Sequence, residues 1–167
     1  MKGFVTHNPL GRVVARRFVA GETVDDAVKT VREMNKLGIH VSLDHLGENT
    51  TNVEDANKAT GQALGILDVI KKENLDANIS VKLTSMGQDI GYDLCYQNIS
   101  KVVQKAQDYG DIFVRLDMEG SDYTQKTLDL FRNLWDNGHH NVGVVLQSYL
   151  YRTEKDVEDM IKLGVRV

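Results

Sequence analysis

The stretch Ile112–Thr124, IFVRLDMEGSDYT, contains the pattern on which our prediction of the fold rests. Its first part, through Leu116, is rich in β-forming apolar residues and predicts a short buried strand. Asp117 and Glu119 follow where this apolar run ends, and Thr124 begins a pattern typical of an amphipathic helix. A buried strand that ends in acidic residues and continues into a helix is typical of parallel α/β folds, which build their sites at strand carboxyl ends.

The same strand-then-helix pattern recurs along the chain. The predicted strands are Arg17–Gly21, Ile39–Leu43, Asn78–Leu83, Ile112–Leu116 and Val142–Gln147, and Val165–Val167 has the pattern of an opening sixth strand. Helices are predicted after Thr23, after Asn52 or Thr51, from about Asp93 to Tyr109, from Thr124, and after Thr153 to Gly164. This alternation predicts a parallel sheet.

Two architectures are compatible with these repeated units. A flavodoxin-like sheet has five strands and about this length, whereas a (β/α)8 barrel has eight strands and typically about 250 residues. Because the sequence stops inside a strand-like segment, the pattern favours an α/β (β/α)8 TIM barrel truncated to about its first five βα units. On this interpretation residues 1–167 form a single partial barrel domain.

The composition is that of a globular domain and excludes several classes of function. The 167 residues are 41% hydrophobic and 26% charged, with a net charge of −4 and no basic tract, so nucleic acid is not an expected partner. Cys95 is the single cysteine, which excludes an internal disulfide and fits a reducing compartment. The five histidines are scattered, so we predict no metal site.

The N-terminal residues show no continuous apolar signal segment, and no stretch has the length of a membrane span. A cytoplasmic location is therefore expected. Arg12, Arg16 and Arg17 lie among small apolar residues and could contact the inner face of a membrane, but a solvated first helix explains them better.

Polar and charged residues collect at the carboxyl ends of the predicted strands. They are Asp44 and Glu48; Lys82, Thr84 and Ser85; Asp117, Met118 and Glu119; and Gln147, Tyr149 and Arg152. Lys82 stands out because its neighbours Val81 and Leu83 are apolar, and an inward-facing lysine needs a carboxylate or a ligand to compensate its burial. Asp117 is the expected partner. A purely structural Lys82–Asp117 pair is the alternative.

Five segments, taken together and in this order, resemble the strand ends of the proline dehydrogenases, specifically the monofunctional bacterial type. The segments are RFVAGE, LDHLGE, NISVKLTSMG, VRLDMEGSDYT and VGVVLQSYLYR, and they cover nearly the whole chain from Arg17 onward. The resemblance implies a distorted (β/α)8 barrel that binds FAD and oxidises L-proline to Δ1-pyrroline-5-carboxylate. This reaction is the first step of proline catabolism to glutamate, and the implied electron acceptor is a membrane quinone.

The resemblance also implies roles for the strand-end residues. Lys82 would contact the substrate carboxylate, and Asp117 would be the key active-site acid that holds Lys82 in place. Met118 and Gln147 would lie against the flavin, with Gln147 hydrogen-bonded to its ring system.

Two further acidic residues take less direct roles by the same resemblance. Glu48 would pair with a substrate-binding arginine and help to gate the site, and Asp44 would line the mouth of the same pocket.

The sequence departs from the family pattern after Val167. The family would continue with a flavin-contacting arginine, which Arg166 only precedes, and later with a tyrosine and paired arginines that cover proline. We therefore expect the isolated chain to bind FAD poorly and to turn over proline negligibly unless it pairs with a complementary fragment or with another copy. The alternatives are an inactive fragment or assembly piece, or an unrelated TIM-barrel or flavodoxin-like protein.

Overall fold

A computed structural model describes residues 23–44, 47 and 49–167, and in this part of the chain parallel strands alternate with helices. The helices are α1 (Val24–Lys36), α2 (Val53–Lys72), α3 (Tyr92–Asp108), α4 (Thr124–Asp136) and α5 (Thr153–Leu163), and a short 3₁₀ turn, Ser121–Tyr123, precedes α4. The strands are β1 (Val41–Asp44), β2 (Ala77–Val81), β3 (Val114–Leu116) and β4 (Val142–Val144). The first predicted strand, Arg17–Gly21, lies outside the described residues.

The four strands form one parallel sheet in the order β1-β2-β3-β4, which confirms the predicted parallel α/β class. Strands that are neighbours in the chain are also neighbours in the sheet. A flavodoxin-like sheet has the order 2-1-3-4-5, in which the second and third strands are separated. The sequential order of the described strands therefore excludes the flavodoxin-like alternative.

The core lies on one face of this sheet. Alternate strand residues point to this face because successive side chains of a strand lie on opposite sides. The buried strand residues are Ile79, Val81, Val114, Leu116, Val142 and Val144, and they pack with buried helical residues that include Leu67, Ile99, Phe131 and Met160. A smaller cluster joins Val31 of α1 and Ile70 of α2 to the partly buried Val41 and Leu43 of β1. Each described helix thus packs on this face.

The opposite face of the sheet is polar. Arg115 of β3 reaches across β2 and donates a hydrogen bond to the Ser42 hydroxyl of β1 at 3.0 Å. The Phe113 ring lies near the Arg115 and Arg166 guanidinium groups, 5.6 and 4.3 Å from its centroid. A methyl group on Gly143 would lie 2.1 Å from the backbone oxygen of Arg166, so only glycine permits this approach.

The N-caps of the first two helices are confirmed. The Thr23 hydroxyl accepts a hydrogen bond from the Asp26 backbone N–H at 3.2 Å, and the Asn52 side chain accepts one from Asp55 at 2.9 Å. These caps satisfy backbone donors that have no partner inside a helix.

The predicted N-cap Thr153 is wrong. Arg152 is the N-cap of α5, and the Thr153 hydroxyl instead donates to the backbone oxygen of Gln147. The hydroxyl therefore ties α5 to the loop after β4, a contact that the local sequence does not show.

The predicted sixth strand at Val165–Val167 is also wrong, because these residues pair with no described strand. Gly164 ends α5 in the left-handed conformation, as its position predicted, with φ of 69°. The Val165 N–H then donates to the oxygen of Met160 at 3.2 Å, which closes the helix.

The other strands predicted within the described residues occur, but their hydrogen-bonded parts are shifted or shortened. Val142–Gln147 is paired only over Val142–Val144, and Asn78–Leu83 becomes Ala77–Val81. The apolar pattern continues past the paired residues because loop side chains such as Leu83 are also fully buried. No helix in the described part of the chain is both long and apolar enough to cross a membrane.

Replacing Leu67 with alanine tests the assigned core. Leu67 of α2 is fully buried, so Leu67→Ala should lower the free energy of unfolding by about 2–5 kcal/mol. Ile161→Ala is the matched control, because Ile161 is 72% exposed on α5 and its truncation should change this free energy by no more than about 0.5 kcal/mol. Urea unfolding followed by circular dichroism measures both, and equal effects would contradict this core.

Candidate active site

The central feature of the site is a lysine held between two carboxylates at the carboxyl edge of the sheet. Lys82 follows β2, and its Nζ lies 2.8 Å from Asp44 Oδ2 at the end of β1 and 2.9 Å from Asp117 Oδ2 after β3. Parallel strands place their carboxyl ends at one edge, which is why residues far apart in the chain meet here. The predicted Lys82–Asp117 contact is present. Asp44 is a second partner of Lys82 that the sequence reasoning did not assign. Asp44, Lys82 and Asp117 are called the charged triad below.

The charged triad keeps Lys82 protonated. Its side chain is only 15% exposed. Burial by itself lowers the pKa of Lys82, but the hydrogen bonds and charges of Asp44 and Asp117 outweigh burial and hold this pKa well above the usual lysine value. Lys82 is therefore a fixed cation at neutral pH and cannot act as a general base. Two of its three N–H groups contact the aspartates, so one remains for a ligand.

The Asp117 carboxylate is oriented by its own backbone. The Asp117 N–H donates to Val81 O at 2.9 Å, which extends the pairing of β2 with β3 by one residue. Its Oδ1 accepts from the Met118 N–H at 3.0 Å, while Oδ2 contacts Lys82. Both carboxylate oxygens are engaged, so this side chain has little freedom to move.

A second network lies beside the triad and is centred on Thr84, which is fully buried. Glu119 accepts hydrogen bonds from the Thr84 N–H at 3.0 Å and from the Thr84 hydroxyl. Residues 49 and 50, which follow β1, bind the same threonine. Sequence reasoning placed Thr84 and Glu119 among the strand-end residues but assigned them no contact, because they lie 35 positions apart.

The other predicted site residues take different positions. The Gln147 Oε1 atom is buried and has no hydrogen-bond partner within the described part of the chain. Met118 is 8% exposed and packs in the core cluster under the sheet. Glu48 lies outside the described residues. Tyr149 is exposed, and Arg152 pairs with Asp156 of α5 at 2.7 Å and not with the triad.

Cys95 is a packing residue, as predicted. It is fully buried in α3, and its thiol donates to Leu83 O at 3.6 Å. Burial, helped by the charges of Glu119 and Asp89, raises the pKa of the Cys95 thiol to about 12. A thiol in this state is a poor nucleophile. Among the described residues, no group of three or more histidine, cysteine or acidic side chains is arranged to hold a metal ion.

Comparison with known proteins assigns the chain to a family. The family model described as proline dehydrogenase matches residues 27–166, and the chain belongs to that family.

Individual relatives show how much of such a protein the chain represents. It is 39% identical to "Proline dehydrogenase 2" of Bacillus subtilis (strain 168) over 153 residues, which cover 92% of this chain and 50% of the relative. It is 35% identical to "Proline dehydrogenase" of Deinococcus radiodurans over 147 residues, covering 86% of this chain and 47% of the relative. The "Bifunctional protein PutA" of Escherichia coli (strain K12) is 26% identical over 172 residues, covering 93% of this chain and 13% of that protein. The chain spans about half the length of the Bacillus and Deinococcus relatives.

The raised pKa of Lys82 can be tested by removing its partners. Asp44→Asn and Asp117→Asn should each lower this pKa, and the double variant should lower it below the usual lysine value of about 10.4, because only burial then acts. The measurement is a ¹³Cε lysine NMR titration, with the Lys82 signal assigned by its loss in Lys82→Arg.

The same pKa has a consequence for stability. Because the folded-state pKa lies above the unfolded one, the triad stabilises the fold fully below about pH 10, and this contribution is lost as the pH rises through the folded-state pKa. A Lys82 pKa that does not fall in the double variant would contradict the assigned cause.

Proposed function

We propose that this chain is about the first five βα units of an FAD-dependent (β/α)8 enzyme that oxidises L-proline to Δ1-pyrroline-5-carboxylate. The observation that carries the proposal is the Lys82 ammonium fixed between Asp44 and Asp117 at the carboxyl edge of a parallel sheet. Family membership supports the reaction, and this geometry supports a site for an amino-acid carboxylate.

The form of the sheet supports the barrel architecture. The strand order is sequential and the described helices pack on one face, as in a barrel whose helices form the outer ring. The opposite face, with Ser42, Arg115 and Gly143, would then face the barrel interior. In such folds the carboxyl edge of the strands carries the active site.

The substrate carboxylate would bind the remaining N–H of Lys82. One positive and two negative charges give the triad a net charge of −1, so Lys82 alone cannot neutralise a bound carboxylate. A further cation is required, and the family resemblance assigns this role to paired arginines beyond residue 167. The chain's own contribution is to hold one cation rigidly where the carboxylate binds, which orients the substrate.

At the carboxyl edge of the sheet, Gln147 is a residue whose surroundings fit a bound flavin. The buried, unpartnered Oε1 of Gln147 can accept a hydrogen bond from a ring N–H, which satisfies an atom that has no partner in the described part of the chain. When bound, FAD would supply the acceptor for the hydride that leaves the carbon next to the proline nitrogen. The predicted contact of Met118 with the flavin stays a prediction. The Met118 side chain packs in the core. A quinone as the final electron acceptor rests on the resemblance.

A second candidate function is an inactive fragment or assembly piece of such an enzyme. It is favoured by the half-length match to the relatives. The flavin absorbance spectrum of the chain, mixed with FAD and with the separately expressed second half of the Bacillus relative, separates the two, because only a chain that completes the site retains bound FAD.

Lys82→Ala tests the catalytic proposal. The chain is mixed with FAD and with the separately expressed second half of the Bacillus relative, and L-proline-dependent reduction of a redox dye is measured. Because a hydrogen bond to a charged group is lost, kcat/KM should fall about 10- to 100-fold in Lys82→Ala.

The matched control is Lys58→Ala, since Lys58 is an exposed lysine of α2 that is not part of the charged triad. Its kcat/KM should equal that of the wild type. Equal activity of the two variants would exclude the role of Lys82, and no activity in the wild-type mixture would favour the inactive fragment.

A further inference from the structure

We propose that Glu119 is a positioning residue for the proline site, acting through Thr84 to hold together the three loops that carry the charged triad. The roles assigned to the charged triad, Glu48, Met118 and Gln147 do not include Glu119. The inference rests on the proposed function, and its test separates the two.

The geometry of the network is centred on one buried threonine. Glu119 accepts from both the N–H and the hydroxyl of Thr84. The Thr84 hydroxyl oxygen in turn accepts from the Asn49 N–H at 3.2 Å. The Thr84 carbonyl oxygen accepts from the Thr50 N–H at 3.2 Å and from the Thr50 hydroxyl at 2.9 Å. We call these four residues, Asn49, Thr50, Thr84 and Glu119, the Thr84 clamp.

Each loop that contributes to the clamp does so a few residues after a member of the charged triad. Thr84 comes two residues after Lys82, Glu119 comes two residues after Asp117, and Asn49 comes five residues after Asp44. The clamp therefore joins the loops after β1, β2 and β3 just beyond the point where the triad meets. If the clamp opens, the three loops are no longer held at fixed positions relative to one another, and Lys82 and its partners can shift. Displacements of about 1 Å are enough to impair substrate positioning.

The clamp depends on both carboxyl oxygens of Glu119. Within the described residues Glu119 forms no ion pair with a cation, and its carboxyl oxygens accept from the two Thr84 donors. The two Thr84 donors use different oxygens of Glu119, and a glutamine replaces one of these oxygens with an NH₂ group, so in the same position it accepts from only one of them. Glu119→Gln therefore weakens the clamp while it preserves the shape of the side chain.

Cys95 provides a reporter that does not require activity. Its thiol contacts Leu83 O, one residue before Thr84, and it is the single cysteine of the chain. Opening of the segment around Leu83 and Thr84 uncovers this thiol, so its rate of reaction with a small neutral thiol reagent measures how often the clamp opens.

The first measurement is Cys95 labelling in the full 167-residue chain. Glu119→Gln and Thr84→Val should each accelerate labelling about tenfold, the loss expected for one charge-assisted hydrogen bond. The rate should depend only weakly on urea, since a local opening exposes little surface. Two control variants should label at the wild-type rate. Thr84→Ser keeps the hydroxyl, and Glu158→Gln alters an exposed glutamate of α5.

The double variant Glu119→Gln/Thr84→Val should label no faster than the faster single variant, because both remove the same interaction. Two results would overturn the proposed clamp. One is a Glu119→Gln variant that labels at the wild-type rate, and the other is an accelerated labelling rate that has the urea dependence of global unfolding.

The second measurement separates positioning from a purely structural role. In the proline-oxidation mixture described above, Glu119→Gln should raise KM for L-proline about tenfold and change kcat by less than about threefold, because Glu119 orients the binding group and touches no reacting atom. An unchanged KM would overturn the positioning role. If the wild-type mixture oxidises no proline, the proposed function fails, and the labelling rates still decide whether the clamp exists.

Discussion

Parallel pairing of four short strands in register is the constraint on which both the core and the candidate site depend. The pairing of Leu43 with Ile79 and of Ile79 with Val114 places apolar side chains on one face, where the helices cover them. A shift of one residue in any strand would turn these side chains to the polar face. The same register places Asp44, Lys82 and Asp117 at one edge, so the fold and the chemistry share one set of backbone hydrogen bonds.

The charged triad has an electrostatic cost that its geometry offsets. A lysine that is 15% exposed loses most of its hydration, and a single aspartate would compensate part of that loss. Two aspartates from neighbouring strands compensate it more fully and leave the triad with a negative charge. This arrangement holds the lysine in place and keeps it protonated, which suits a group that must remain a cation when an anionic ligand arrives.

Much of this organisation could be predicted from local patterns, and what could not be predicted depends on distant contacts. The strand before Asp117, the caps at Thr23 and Asn52, and the pairing of Lys82 with Asp117 follow from periodicity, capping chemistry and the cost of a buried charge. The contact of Asp44 with Lys82 and the clamp on Thr84 join residues 38 and 35 positions apart, and no local signal reports them. Thr153 has the chemistry of a cap, but its hydroxyl donates to the oxygen of Gln147, six residues earlier in the loop before α5. Val165–Val167 has the composition of a strand but lacks a partner strand in the described part of the chain.

The sequential order of the strands has a consequence for how the chain acquires its structure. Because each strand pairs with the one that precedes it in the chain, every new βα unit can dock on a surface that already exists when it leaves the ribosome. Each pairing joins residues 28 to 36 positions apart, so it closes one βα unit and does not wait for a later one. The triad would then be completed in order: Asp44 first, Lys82 next, and Asp117 only when the third described strand has joined the sheet.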